Sequence, residues 1–97
     1  MKMAGNEKTL KEAIQELLKT YRLEGRLNEV KLINSWEKVM GKMIAKHTIG
    51  IFINKKKLFI KLDSAALRAE LSYAKEKIVK MLNDEVGQQV VDEVIVQ

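Results

Sequence analysis

The stretch HTIGIFINKKKLFIKLDS, residues 47–64, decides the fold. From His47 the apolar residues recur every second position, so Ile49, Ile51 and Ile53 point one way while Thr48, Gly50 and Phe52 point the other. The polar run Asn54-Lys55-Lys56-Lys57 interrupts the pattern. It resumes in LFIKLD, where Leu58, Ile60 and Leu62 oppose Phe59, Lys61 and Asp63. Two alternating runs joined by a short polar turn predict a β-hairpin.

Helical periodicity holds on both sides of this hairpin. Upstream, Thr9 followed by Glu12 is a capping-box signature, and Leu10, Ile14, Leu17 and Tyr21 recur at helical spacing as far as Arg22. LEGRLN (23–28) predicts a break at Gly25 and a second helix starting near Leu27 or Asn28. Val30, Ile33, Trp36, Met40 and Ile44 lie along one side of it, and Gly41 is a position to end or bend it. Downstream, Ser64 is the expected N-cap of a third helix with Leu67, Leu71, Ala74, Ile78 and Met81 or Leu82 facing inward. Asn83 and Gly87 suit the chain reversal that follows. VVDEVIVQ, rich in β-branched residues, predicts a third strand whose inward set is either Val90, Val94 and Val96 or Val91 and Ile95.

The expected order is α-α-β-β-α-β, an α+β fold with a small three-stranded sheet and helices packed on one face. The third strand returns through a helical crossover, so it is parallel to the second strand where the two are neighbours. At 97 residues the chain reads as one domain, residues 1–97, with 1–8 as a frayed N-terminus. A domain of this size has a modest core, so clearly periodic apolar positions are assigned first to packing. Trp36, Leu67 and Leu71 are expected there.

Composition narrows the chemistry. There is no cysteine, which excludes disulfides, thiolate catalysis and thiolate metal sites together. No run approaches the roughly 18 apolar residues a membrane span requires, and MKMAGNEK has no apolar signal region. A soluble, cytoplasmic protein with no membrane partner is the expectation. Ser35, Ser64 and Ser72 lie outside any G-x-S-x-G context, and neither a Walker A loop nor G-x-G-x-x-G is present. His47, the sole histidine, has no cysteine or second histidine to share a metal and fits a hydrogen-bonding or capping role. No catalytic residue, metal site or cofactor is expected, so the reading is a binding module.

The charge suggests what is bound. Eighteen Lys and Arg against thirteen Asp and Glu give a formal charge of +5, which favours polyanionic partners without choosing among them. Lys31, Lys38, Lys42 and Lys46 cluster opposite Trp36 on the second helix, about 6 Å apart at each i, i+4 step where the helix continues past Gly41. Lys55, Lys56 and Lys57 crown the hairpin. These seven lysines are the candidate nucleic-acid contacts, against the plainer reading of a solvated basic face and an ordinary polar turn. Lys8, Lys11, Lys19 and Arg22 repeat on one side of the first helix. Phe52 and Phe59 fall on a shared face of the hairpin, and their exposure would favour single-strand or RNA recognition.

The segments WEKVMGKMIAKHT (36–48) and LFIKLDSAALRAEL (58–71), followed by Leu82-Asn83, Gly87 and a β-rich terminal segment, resemble the DciA family of bacterial proteins linked to the replicative helicase DnaB. The resemblance implies a KH-like domain that contacts the helicase and DNA and helps the helicase engage DNA without being an ATPase. The alternative is a small RNA-binding module of KH-like fold. Two departures accompany the resemblance. The sequence stops at Gln97, where longer members carry a flexible basic extension, and it lacks the GxxG loop by which KH domains grip a nucleic-acid backbone.

Overall fold

The computed structural model describes residues 9–97, so the frayed segment expected at residues 1–8 lies outside the described residues. Eight elements follow in order: α1 (Leu10–Asn34), α2 (Trp36–Met40), α3 (Lys42–Lys46), β1 (Thr48–Asn54), β2 (Lys57–Leu62), α4 (Ala65–Ser72), α5 (Lys75–Val86) and β3 (Glu93–Val96). The sheet runs β1-β2-β3, antiparallel between β1 and β2 and parallel between β2 and β3. The α+β architecture expected from the pattern is the one observed.

Each predicted helix differs in extent from the observed ones, for a local reason. The first does not break at Gly25. A glycine inside a helix costs only about 1 kcal/mol relative to alanine, and the good helix formers on both sides outweigh it, so α1 continues for 25 residues. The predicted second helix is instead divided between the end of α1, α2 and α3. Its first interruption is Ser35, whose hydroxyl donates to the Leu32 carbonyl at 2.7 Å. The second is Gly41, at φ 94° and ψ 162°, a conformation that a side chain would strain. Val30, assigned to the inner side of that helix, is exposed. The predicted third helix also divides: Tyr73 and Ala74 donate to carbonyls three residues back, at 3.2 and 3.0 Å, tightening the end of α4. The chain then re-aims, so α4 packs on β2 and β3 while α5 packs on β3, α1 and α2.

The core sits between these helices and one face of the sheet. Leu58, Ile60 and Leu62 of β2 are buried there with Leu67, Leu71, Ile78 and Leu82 from α4 and α5. Trp36 closes the same cluster at 4% exposure, as its apolar phase predicts. Its indole Nε1 donates to Thr48 Oγ1 at 3.0 Å, and that hydroxyl donates in turn to the Ile44 carbonyl at 2.7 Å. The polar end of the ring is thus satisfied at the junction between α3 and β1.

The strands settle two further expectations. Ile51 and Ile53 pack against the core as the alternation requires, but Ile49 does not. A β-bulge between Thr48 and Gly50 takes Ile49 out of register and leaves it 58% exposed. In β3, Val94 pairs with Leu58 and is buried, so the inward set is Val94 and Val96. The strand itself is shorter than VVDEVIVQ. Val90 and Val91 precede it, both buried, because the Asn83 side chain binds their backbone: Oδ1 accepts from the Val90 and Val91 N–H groups at 2.9 and 3.1 Å, and Nδ2 donates to the Val91 carbonyl at 2.8 Å.

The largest departure from the packing assignment is in α1. Leu10, Ile14, Leu17, Leu18 and Tyr21 are all exposed, although they share a helix side with buried Leu32. The helix overhangs the rest of the fold, and the whole, helix included, measures 63 × 20 × 20 Å. An apolar stripe of about three turns is left uncovered among the described residues.

Candidate nucleic-acid interface

Register brings Phe52 and Phe59 together from adjacent strands. Their rings stack, with centroids 4.7 Å apart and planes 5° from parallel. Because Leu58, Ile60 and Leu62 occupy the helix-covered side, alternation places both rings on the opposite, open face of the sheet. Phe52 is 50% exposed there. Lys57 and Lys61 stand on the same face, one on each side of Phe59 along β2, and both are exposed. Gly50 lies opposite Lys61, where a β-carbon would come within 3.3 Å of the Lys61 Cβ. A bare backbone at that position leaves room for the lysine beside the ring pair.

The hairpin ends in a two-residue loop, since Asn54 pairs with Lys57. Lys55 and Lys56 adopt φ of 50° and 62°. Positive φ at both loop positions matches the twist of antiparallel strands, but this geometry ordinarily selects Asn-Gly, because a side chain in the left-handed region costs about 1–2 kcal/mol. Two lysines are held here instead. The loop is also tied down, with the Lys56 carbonyl accepting from the Asp92 N–H at 2.8 Å.

The remaining predicted lysines are more dispersed. Lys31 lies in the last turn of α1, Lys38 on α2, and Lys42 and Lys46 on α3, all exposed. Gly41 prevents Lys38, Lys42 and Lys46 from forming a stripe on one continuous helix. Lys38 pairs with Glu85 at 2.6 Å, whereas Lys31, Lys42, Lys46, Lys55, Lys56 and Lys57 form no ion pair among the described residues. His47 caps α3 and places Nδ1 2.8 Å from Asp63 Oδ1, closing the base of the hairpin away from the lysine tip. Lys61 was absent from the candidate set, yet the alternation of LFIKLD already put it beside Phe59.

The arrangement offers cationic side chains and a flat apolar surface. A family profile, Dna[CI] antecedent, DciA, matches residues 9–96. The chain belongs to the DciA family. A UPF0232 protein of Corynebacterium glutamicum (strain R) is 35% identical over 60 residues, covering 62% of this chain and 34% of that protein. The match thus spans about a third of that relative's length. No solved structure matches significantly. The DciA family is linked in general to loading of the DnaB helicase, and no helix described in this DciA-family chain is long and apolar enough to cross a membrane.

Proposed function

We propose that this protein is a non-enzymatic, cytoplasmic replication accessory that binds a DnaB-type replicative helicase and DNA and helps the helicase engage DNA. The hairpin tip is the observation that carries the DNA half. Lys55 and Lys56 occupy positions where Asn-Gly would be more stable, and local strain kept in a turn is a signature of a functional position. Lys57, Lys42, Lys46 and Lys31, which form no ion pair among the described residues, supply further cations. Lys38 contributes only after release from Glu85.

The helicase half rests on family membership and on the uncovered stripe of α1. A contiguous exposed apolar surface is costly in water and marks a docking site. Its edge carries Lys11 and Arg22, which suit a helicase surface with acidic groups around an apolar centre. The exposed Phe52 of the stacked ring pair keeps the RNA-module reading as the alternative.

Two measurements test these assignments. Lys55→Asn/Lys56→Gly should raise stability by about 1–2 kcal/mol by relieving the left-handed lysines. The same variant should weaken DNA binding and reduce its log–log salt slope by roughly 2, one for each lost phosphate contact. Unchanged affinity in the stabilised variant would remove the tip from the interface. For the partner, titration calorimetry of the chain with its cognate helicase at low salt should detect association without DNA. Leu17→Glu should weaken it at least about tenfold while stability changes by no more than about 0.5 kcal/mol, since Leu17 packs against nothing in the core. Absence of association at tens of micromolar protein, with tight RNA binding, would favour the RNA module.

A further inference from the structure

We propose that the open face of the sheet is a single-stranded DNA site in which a base stacks on Phe52, extending the Phe52–Phe59 pair to a three-ring stack. This rests on the DNA-binding half of the function proposed above and adds which form of DNA is bound, and where. Phe59 lies on the central strand, with Phe52 on one side and Ile95 on the other. Its ring is enclosed from both directions. Phe52 lies on the edge strand, half exposed, so the ring face turned away from Phe59 is the one available to a ligand.

The surrounding charge fits a nucleotide chain along that edge. Lys57 and Lys61 are each two residues from Phe59, about 7 Å along the strand, so their flexible side chains reach phosphates on either side of a base seated at the rings. Glu93, paired with Lys57 from β3, places negative charge at the other side of the open face. The phosphates are therefore steered toward β1, where Phe52 is, and Lys55 and Lys56, which form no ion pair among the described residues, extend the cationic track at the tip. A base inside a duplex has both faces occupied by its neighbours. Only an unpaired base offers a face to Phe52, so the platform selects single strands, with little sequence preference because every base presents a similar π surface.

The test uses fluorescence anisotropy with labelled oligothymidylate, a duplex of equal length, and oligouridylate. Phe52→Leu keeps an apolar side chain at a half-exposed position but removes the aromatic face. Single-stranded DNA affinity should fall roughly 5- to 100-fold, with duplex affinity changed less than about twofold. Phe52→Trp should retain binding, and the new indole's emission should be quenched by oligothymidylate, while the wild-type protein, whose Trp36 is buried, shows no quenching. A folded Phe52→Leu protein that binds oligothymidylate as before, single-strand and duplex affinities that fall together, or an unquenched Phe52→Trp protein would each overturn the site. A tenfold preference for oligouridylate would overturn the assignment to DNA. Failure of the Phe52 arms with duplex binding and helicase association intact would refute this site alone. Absence of all DNA binding by the wild-type chain would refute the parent reading as well.

Discussion

Trp36→Ala should cost about 3–5 kcal/mol of stability, among the largest effects expected of a single truncation in the described residues. The indole is 4% exposed and fills the space where the end of α1, α2 and the start of β1 converge. Its removal leaves a cavity bounded by elements of only five residues on the helical side, α2 and α3, which have no length in reserve to collapse inward. It also removes the donor that Thr48 Oγ1 accepts, although that hydroxyl keeps its own bond to the Ile44 carbonyl. A small domain has roughly 5–15 kcal/mol in total, so a large share would be lost. Chemical denaturation followed by circular dichroism measures it. Trp36→Phe, which retains most of the volume, should lose much less, and equal losses for the two variants would mean that the hydrogen bond rather than the packing dominates.

Asn83→Ala should cost about 2–4 kcal/mol, more than is usual for a partly exposed polar residue. One amide side chain satisfies three backbone groups, the Val90 and Val91 N–H and the Val91 carbonyl, at 2.8–3.1 Å. Truncation would strand them beside buried Val90 and Val91, and unsatisfied buried groups cost about 1–3 kcal/mol each, less where water can enter. Asn83→Asp is the sharper probe: the carboxylate can still accept from both N–H groups but has no donor for the Val91 carbonyl. Thermal denaturation should rank the proteins as wild type, then Asp, then Ala. An Ala variant within 0.5 kcal/mol of wild type would show that the connection from α5 to β3 is held by valine burial alone.

The hairpin, the parallel third strand, the Ser64 cap and the core positions Trp36, Leu67 and Leu71 were legible because each depends on neighbours close in sequence or on a repeated period. Asn83 was legible only as a turn residue. Its three hydrogen bonds reach seven and eight residues ahead, and no local pattern encodes that. Gly25 was misread as a break because a glycine that tolerates a turn looks the same as one that tolerates a helix; nothing in the structure approaches it. Ile49 followed the alternation faithfully, but a bulge shifts phase without leaving a mark in hydrophobicity. The ring pair was half visible. Alternation put Phe52 and Phe59 on one face, while their direct stacking depends on a register set by a two-residue loop at Lys55 and Lys56, residues that do not advertise such a loop.

The overhang of α1 divides the molecule into two cooperative units. From Leu10 to about Glu24 the side chains are exposed and none joins the core among the described residues, so the helix depends mainly on intrinsic propensity, local side-chain pairs and the Thr9–Glu12 capping box, in which each residue's side chain bonds the other's backbone. A helix of about fifteen residues sustained in this way is marginal in water, while the core around Trp36 melts as a whole. Ellipticity and indole emission therefore follow different processes on heating: the first begins to decline as the free turns unwind toward Asn28, and the second changes only when the core is lost. A partner that clasps the stripe would join the two units into one transition.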